Sequence, residues 1–345
     1  MTADRVAIIG AGSWGTALAC ALSSGGETYV WSRDGGQAAA MEAKRHNPRY
    51  LTEIEIPKGV YFTADLADAV YKVPIVIMAV PCKAMLTTAR ALSGILRTQT
   101  KKGGEPPLVL SAAKGLDPES GRLMSQVLTE TLGDRAVVGA ISGPNIAREI
   151  AQGMPATTVI ACADQQRAEA AQGRISGPRL RAYTNDDVVG VEVGGAMKNV
   201  IAIGTGICDG LEAGDNAKAA IMTRGLVEMT RLGCAMGARS RTFAGLTGLG
   251  DLVVTCSSPH SRNRALGIGI GTGKTLEEIE SGMTMVAEGV NTTREALRLG
   301  EQLNVELPIT EAVAEILFQA ADPMHVAIRL MQRTGRSESE GLGFS

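Results

Sequence analysis

Within its first fifteen residues the chain runs from a β-branched stretch, Val6-Ala7-Ile8-Ile9, into Gly10-Ala11-Gly12-Ser13-Trp14-Gly15. The stretch reads as a buried strand and about Ser13 to Ser24 as a helix, so the glycines fall on a strand-to-helix turn in a strand–helix–strand unit of roughly thirty residues. That context narrows the fold to a parallel α/β sheet. Gly10 permits the tight turn, Gly12 lets the backbone approach a pyrophosphate, and Gly15 allows close helix–sheet packing, with the phosphates at the helix N-terminus.

The pattern continues through Thr28 to Ser32, Gly59 to Thr63, Val73 to Val80, Leu108 to Leu110, Ala136 to Val138 and Thr157 to Ile160, all strand-like and separated by helical spacing. A doubly wound Rossmann-type sheet follows, with its ligand at the carboxyl ends of the strands. From about Asp187 the strand runs stop and apolar residues recur at helical spacing. Asp186 and Asp187 are candidate caps, and helices are expected around Val188 to Ile207, Ala217 to Met236, Leu276 to Glu280, Thr292 to Leu303 and Thr310 to Gln319. The expected organisation is a dinucleotide-binding domain over 1–186, a mainly helical C-terminal domain for substrate and catalysis over 187–335, and a polar, flexible tail over 336–345. At 345 residues the chain exceeds the ~250 to 300 at which a single core stops growing, which supports two domains.

Composition removes other classes. Lys and Arg number 34 against 36 Asp and Glu, so no strong field favours nucleic acid or an anionic membrane. Two Trp, five Tyr and four Phe are too few for a base-stacking surface. The six cysteines include no Cys-x-x-Cys pair, and His46, His260 and His325 are dispersed, which supports neither a disulfide framework nor a metal site and fits a reducing compartment. The N-terminus lacks the basic and apolar regions of a signal peptide, and Val188 to Cys208 is interrupted by Glu192 and Lys198. A cytoplasmic protein without membrane insertion is expected. The 42 glycines are well above the usual ~7% of a chain.

Several segments could carry chemistry. At the end of the second strand, Arg33 and Asp34 present both charges that discriminate cofactors: an acid suits the ribose hydroxyls of NAD, and an arginine accommodates a 2′-phosphate. Arg33 otherwise reads as a solvated loop residue. Ser111-Ala112-Ala113-Lys114-Gly115 and Ser142-Gly143-Pro144-Asn145 each follow a strand, at the edge where this architecture builds its site. Lys198 sits in an almost wholly apolar helix with Gly194 and Gly195 one turn earlier. Burial there would move its pKa toward the range useful for proton transfer, while the glycines suggest that something approaches the backbone closely. The bland alternative is a lysine snorkelling to solvent. Thr247 to Leu252 and Ser257 to Arg264 form a last group; the second combines cap-forming hydroxyls, arginines and an amide near a helix start, suited to a phosphate dianion or to a plain capped helix. Gly273-Lys274-Thr275 is no phosphate loop, because Ile268 stands where the earlier glycine is required.

Taken in order, Gly10 to Gly15, Ser111 to Gly115, Ser142 to Asn145, Gly194-Gly195-Ala196-Met197-Lys198-Asn199, Gly248 to Asp251 and Ser261-Arg262-Asn263-Arg264 closely resemble the NAD(P)-dependent glycerol-3-phosphate dehydrogenase family of bacterial type. The resemblance implies reversible reduction of dihydroxyacetone phosphate to sn-glycerol 3-phosphate, supplying glycerophospholipid synthesis, in a homodimer. It implies that Lys198 is the general acid/base and that Lys114 binds substrate close to the nicotinamide. Gly143, Asn145, Asn199, Asp251, Ser261, Arg262 and Asn263 match substrate positions, with Thr255 as a further candidate for orienting Lys198. Gly10, Gly12, Ser13, Trp14, Gly15, Arg33, Lys114, Ala147, Arg262, Val286 and Glu288 match cofactor positions. NADP(H) is the expected preference, NAD(H) the alternative, and no metal is implied. Two rivals are a β-hydroxyacid-type dehydrogenase and a non-catalytic NADP(H)-binding sensor. The first is weakened because Ala202 stands where its Gly-x-x-x-Lys-x-x-x-Asn pattern needs asparagine. On this reading many glycines outline one cleft between two domains.

Overall fold

The structure is a computed structural model that describes residues 5–101, 103–283, 287–335 and 337. It divides into two compact units, one formed by the chain up to Ala113 together with Met124–Val188, the other by Lys114–Leu123 together with the chain from Val189 onward.

The first unit is built on an eight-stranded sheet: β1 (Val6–Ile9), β2 (Thr28–Trp31), β3 (Val60–Thr63), β4 (Ile75–Met78), β5 (Leu108–Ser111), β6 (Val137–Ser142), β7 (Ala156–Ala161) and β8 (Leu180–Asn185). Its order is β3-β2-β1-β4-β5-β6-β7-β8, with the reversal at β1 and β4 that marks a doubly wound sheet. The central strands β1, β4 and β5 are buried at every residue, as continuous apolar runs covered on both faces should be. Alternate residues of β1 feed opposite layers. Val6 and Ile8 pack with Leu18, Leu22 and Met41 on one face, Ala7 and Ile9 with Met85, Leu92 and Leu96 on the other.

Two features correct the sequence reading. The sheet is mainly but not wholly parallel, because β6 and β7 pair antiparallel (Ile141 against Ile160), after which β8 is parallel to β7. The last strand, β8, was not expected from the sequence. Its edge position explains why: only Leu180 and Ala182 are buried, and the intervening residues are polar or exposed.

Helices dominate the second unit, and Leu116↔Leu123 is a lone β-bridge among its described residues. The helix Val188–Gly210 runs through its core, buried at almost every position. Among the described residues it alone is long and apolar enough to cross a membrane, and 89% of its most apolar window is buried inside the protein. Met197 and Ile201 pack with Met229, Leu232 and Phe243; Val200, Ile203 and Ile207 pack with Leu266 and Val313.

Glycines let the core helix touch the helix Arg262–Gly271 backbone to backbone. A Cβ added at Gly206 would stand 2.1 Å from the Arg264 carbonyl oxygen, and one at Gly267 would stand 2.1 Å from that of Ile203. One turn later Gly210 and Gly271 repeat the contact against Ile268 and Ile207. This seam absorbs part of the glycine excess through helix packing alone.

Candidate active site

The first unit offers the glycine turn after β1. Gly10 has φ +122°, a left-handed conformation that costs glycine little, and its missing side chain leaves room for the Ala79 carbonyl 2.7 Å from where a Cβ would stand. At Gly15 a Cβ would lie 1.9 Å from the Gly10 carbonyl, so this glycine closes the turn onto the helix Ser13–Leu22. Gly12 differs: it caps that helix without a side chain, and nothing lies within 4 Å of its Cβ position. Buried polar groups accompany the turn. The indole N–H of Trp14 and the hydroxyls of Ser111 and Ser142, which end β5 and β6, have no hydrogen-bond partner in the protein. An open helix N-terminus and unpartnered polar groups at the strand ends fit a bound dinucleotide.

Arg33 is exposed just beyond β2, while Asp34 caps the helix Gly35–Lys44 by accepting from Gln37 N at 3.1 Å. Gly143 is buried at φ +137°. Asn145 donates Nδ2 to the Thr157 carbonyl at 2.7 Å and accepts on Oδ1 from Thr158 Oγ1 at 3.2 Å, so its amide ties the loop after β6 to β7. Ala147 opens the helix Ala147–Ala151.

A cluster that sequence reasoning missed secures this region. Asn47 is fully buried; its Nδ2 donates to the Ala11 carbonyl (3.0 Å) and Thr16 Oγ1 (2.8 Å), and its Oδ1 accepts from Arg49 N (3.0 Å) and Tyr50 N (3.1 Å). Gln37 Nε2 joins it on Ala11 O at 3.1 Å, and Ser32 Oγ donates to Gln37 Oε1 at 3.1 Å. The carbonyl inside the glycine turn is thus held from the helix Gly35–Lys44 and from the 45–50 loop. The sequence signal was slight: Asn47 precedes a proline, a pair that marks a turn.

In the second unit, Lys198 lies on the core helix and Asp251 opens the helix Asp251–Ser257, just after a π-helical turn, Leu246–Gly250. Lys198 Nζ donates to Asp251 Oδ1 and, at 2.8 Å, to Thr255 Oγ1. Lys114 Nζ donates to Asp251 Oδ2 at 2.7 Å. One buried carboxylate therefore bridges two ammonium groups. Asn199 donates to the Lys114 carbonyl at 3.0 Å, fixing the backbone that carries the second lysine. Lys198 is only 5% exposed and does not snorkel. Burial pushes its ammonium down to about 7; Asp251 opposes the shift and Lys114 adds to it. The close approach expected at Gly194 is present, since its Cβ would stand 2.6 Å from the Thr247 carbonyl. What approaches it is the π-helical turn that delivers Asp251. Gly248 likewise closes against Phe243, 2.0 Å from that residue's carbonyl oxygen.

The phosphate candidates lie at two helix starts. Ser261 caps Arg262–Gly271 by accepting from Arg264 N at 3.3 Å, and Arg262 is exposed at the first position. Asn263 is buried and accepts on Oδ1 from Gly289 N at 3.1 Å, joining this start to that of Glu288–Leu303, where Glu288 is half-buried. Arg264 turns instead to Asp209, at 2.7 and 2.6 Å. Val286 lies outside the described residues, as do the tail residues 336 and 338–345.

Models of the N-terminal and C-terminal regions of NAD-dependent glycerol-3-phosphate dehydrogenase match residues 5–168 and 187–327. The chain belongs to this family. A glycerol-3-phosphate dehydrogenase [NAD(P)+] of Salinibacter ruber is 47% identical over 96% of both chains, and one of Pelotomaculum thermopropionicum is 46% identical over 97% of this chain and 95% of its own. The crystal structure of glycerol-3-phosphate dehydrogenase from Coxiella burnetii superposes with a TM-score of 0.89 at 35% identity, covering 95% of this chain and 99% of that one. The family uses a nicotinamide dinucleotide, and the partly parallel sheet and helical C-terminal region found here are its fold.

Proposed function

We propose that the protein reduces dihydroxyacetone phosphate to sn-glycerol 3-phosphate, and catalyses the reverse, with Lys198 as general acid/base. The observation that carries this reading is the buried Lys114–Asp251–Lys198 bridge. A bound NAD(P)H supplies the hydride. Lys198 Nζ gives its proton to the carbonyl oxygen, and the pKa near 7 makes that transfer feasible in both directions. Asp251 and Thr255 hold Nζ in place, so its orientation is set before substrate arrives. With both lysines protonated the trio carries a net positive charge, which favours an anionic substrate and a developing alkoxide. Arg262, at a helix N-terminus, would hold the phosphate with Ser261 and Asn263. Binding energy gained there serves to position the distant carbonyl. Lys114, Gly143, Asn145 and Asn199 are assigned to the substrate side of the site; the engagement of Asn145 with β7 and of Asn199 with Lys114 O supports a role in shaping it.

On the cofactor side, Gly10, Gly12, Ser13, Trp14, Gly15 and Ala147 would hold the dinucleotide, with Lys114, Arg262, Val286 and Glu288 assigned toward it. We assign the preference to NADP(H), because Arg33 is exposed at the end of β2 while Asp34 is engaged as a helix cap. The first unit is then the dinucleotide-binding domain and the second the substrate domain. A homodimer in the cytoplasm that supplies glycerophospholipid synthesis completes the reading, on family likeness.

The test is NADPH oxidation, and separately NADH oxidation, with dihydroxyacetone phosphate. Lys198→Ala should lower kcat by at least ~10²-fold while cofactor binding persists. In the parent, reduction should weaken as pH rises through about 7 because Lys198 loses its proton, and oxidation of glycerol 3-phosphate should strengthen over the same range. An unchanged kcat in the variant would remove Lys198 from its role.

A further inference from the structure

Both oxygens of the acid just beyond β2 are engaged. Asp34 Oδ1 accepts from Gln37 N at 3.1 Å, and Oδ2 accepts from Arg49 Nη2 at 2.7 Å. Arg49 comes from the loop after the helix Gly35–Lys44, and its place is set from below, since its own N–H donates to the buried Asn47 Oδ1 at 3.0 Å. Ser32 Oγ accepts from Asp34 N at 3.2 Å and donates to Gln37, so both neighbours of Arg33 are anchored. Arg49 and Asp34 remain 59% and 39% exposed, within reach of a ligand at the sheet edge. The exposed surface here therefore presents two arginines and one carboxylate whose charge one of those arginines already answers.

We infer that Arg49 is a specificity-determining residue, which lets the site accept a 2′-phosphate by neutralising Asp34 and tying down its second oxygen. The charge logic is direct. An unanswered carboxylate beside the adenosine ribose repels a phosphate dianion and offers acceptors to the 2′- and 3′-hydroxyls, which is how NAD-selective sites work. With Oδ1 on a helix start and Oδ2 on a guanidinium, Asp34 does neither, and Arg33 meets the phosphate without an opposing field. The capping bond is the main reason that Asp34 is held below the usual carboxylate range, and Arg49 adds to it, so the acid stays ionised and its masking matters throughout the neutral range. The inference rests on the first unit being the NAD(P)(H) site.

The experiment uses the full chain and two readouts: the dissociation constants of NADPH and NADH from direct fluorescence titration, and kcat/KM for each with dihydroxyacetone phosphate. Arg49→Ala should shift the NADPH/NADH preference about tenfold toward NADH in both, mainly through weaker NADPH binding; retained NADH affinity shows that the fold survives. Arg49→Lys should recover part of the shift. In an Asp34→Asn background, where the amide still caps the helix but the charge is gone, Arg49→Ala should move the preference less than threefold. A preference unmoved by Arg49→Ala overturns the role of Arg49 while leaving the cofactor site intact. A full tenfold shift in the Asp34→Asn background overturns the masking mechanism. Failure of the parent to bind either dinucleotide overturns the site reading, and this inference with it.

Discussion

Gly12 in the first unit and the glycine seam of the second serve opposite ends. At Gly12 in the first unit the absent side chain leaves open space at a helix N-terminus, whereas at Gly206, Gly210, Gly267 and Gly271 in the second it is answered by the backbone of a facing helix. Charge divides in the same way. Arg33 and Arg49 are exposed at the sheet edge, while Lys198, Asp251 and Glu228 are buried among helices. An open edge can recognise a ligand by shape and exposed charge; a closed interior can shift a proton affinity. A glycine-rich composition does not by itself tell which of these a chain is doing.

Substitutions at three residues test that contrast. The largest effect belongs to Gly267→Ala, whose new methyl would meet the Ile203 carbonyl at 2.1 Å and the Ile207 N–H at 2.8 Å. Neither backbone group can swing aside, and denaturant unfolding should show a loss of at least ~3 kcal/mol. Next comes Glu228, whose carboxylate accepts from Ile309 N at 2.5 Å and Thr310 N at 3.1 Å at the start of the helix Pro308–Gln319. Glu228→Ala strands both donors and should cost roughly 2 to 3 kcal/mol.

The same residue gives a pH signature. Burial raises the Glu228 carboxyl to about 7, above its ordinary 4.5. The folded form therefore holds a proton that the unfolded chain has released, so this group's contribution to stability falls as pH rises from about 4.5 to about 7. Comparing the Tm of Glu228→Gln with the parent across that range should show a flatter profile in the variant. An identical slope would show that the interior does not shift this proton.

Gly12→Ala is the mildest. Its φ of −78° suits alanine and nothing stands near the new methyl, so stability should change by less than ~0.5 kcal/mol, while titration with NADPH should show affinity lowered by about tenfold. If stability fell instead, the open edge would be a packed one and the contrast would fail.

Much of this architecture is legible in sequence because its signals are local. Val6 to Ile9, the glycine turn and the helix behind it lie within some twenty residues, and a lone lysine in an apolar helix announces itself as Lys198 does. What escaped depends on partners far along the chain. Nothing near Asn47 reveals that its amide will find Ala11 and Thr16, 36 and 31 residues earlier. Strand direction is equally silent, since β7 has the same apolar character whether it pairs with β6 parallel or antiparallel. The segment Thr247 to Leu252 stands out in the sequence, but the partnership of its Asp251 with Lys198 comes only from family resemblance, because 53 residues separate the two and the π-helical turn that aims the acid has no local signature. Gly194 was noticed for the right reason, close approach of something to a helix, but the visitor is Thr247 of the same unit.

The short segment Lys114–Leu123 groups with the helical unit although sheet residues precede and follow it, and its Leu116 and Leu123 are buried in the helical core. The chain therefore passes between units three times rather than once. Neither unit can be cut out as a single contiguous piece: ending the chain at residue 188 strands two leucines without their core and removes the helix to which Lys114 is tied. A single cut after the sheet separates Lys114 from the aspartate with which it pairs. The lysine that follows the sheet and the aspartate that receives it lie 137 residues apart, and both are needed for the bridge.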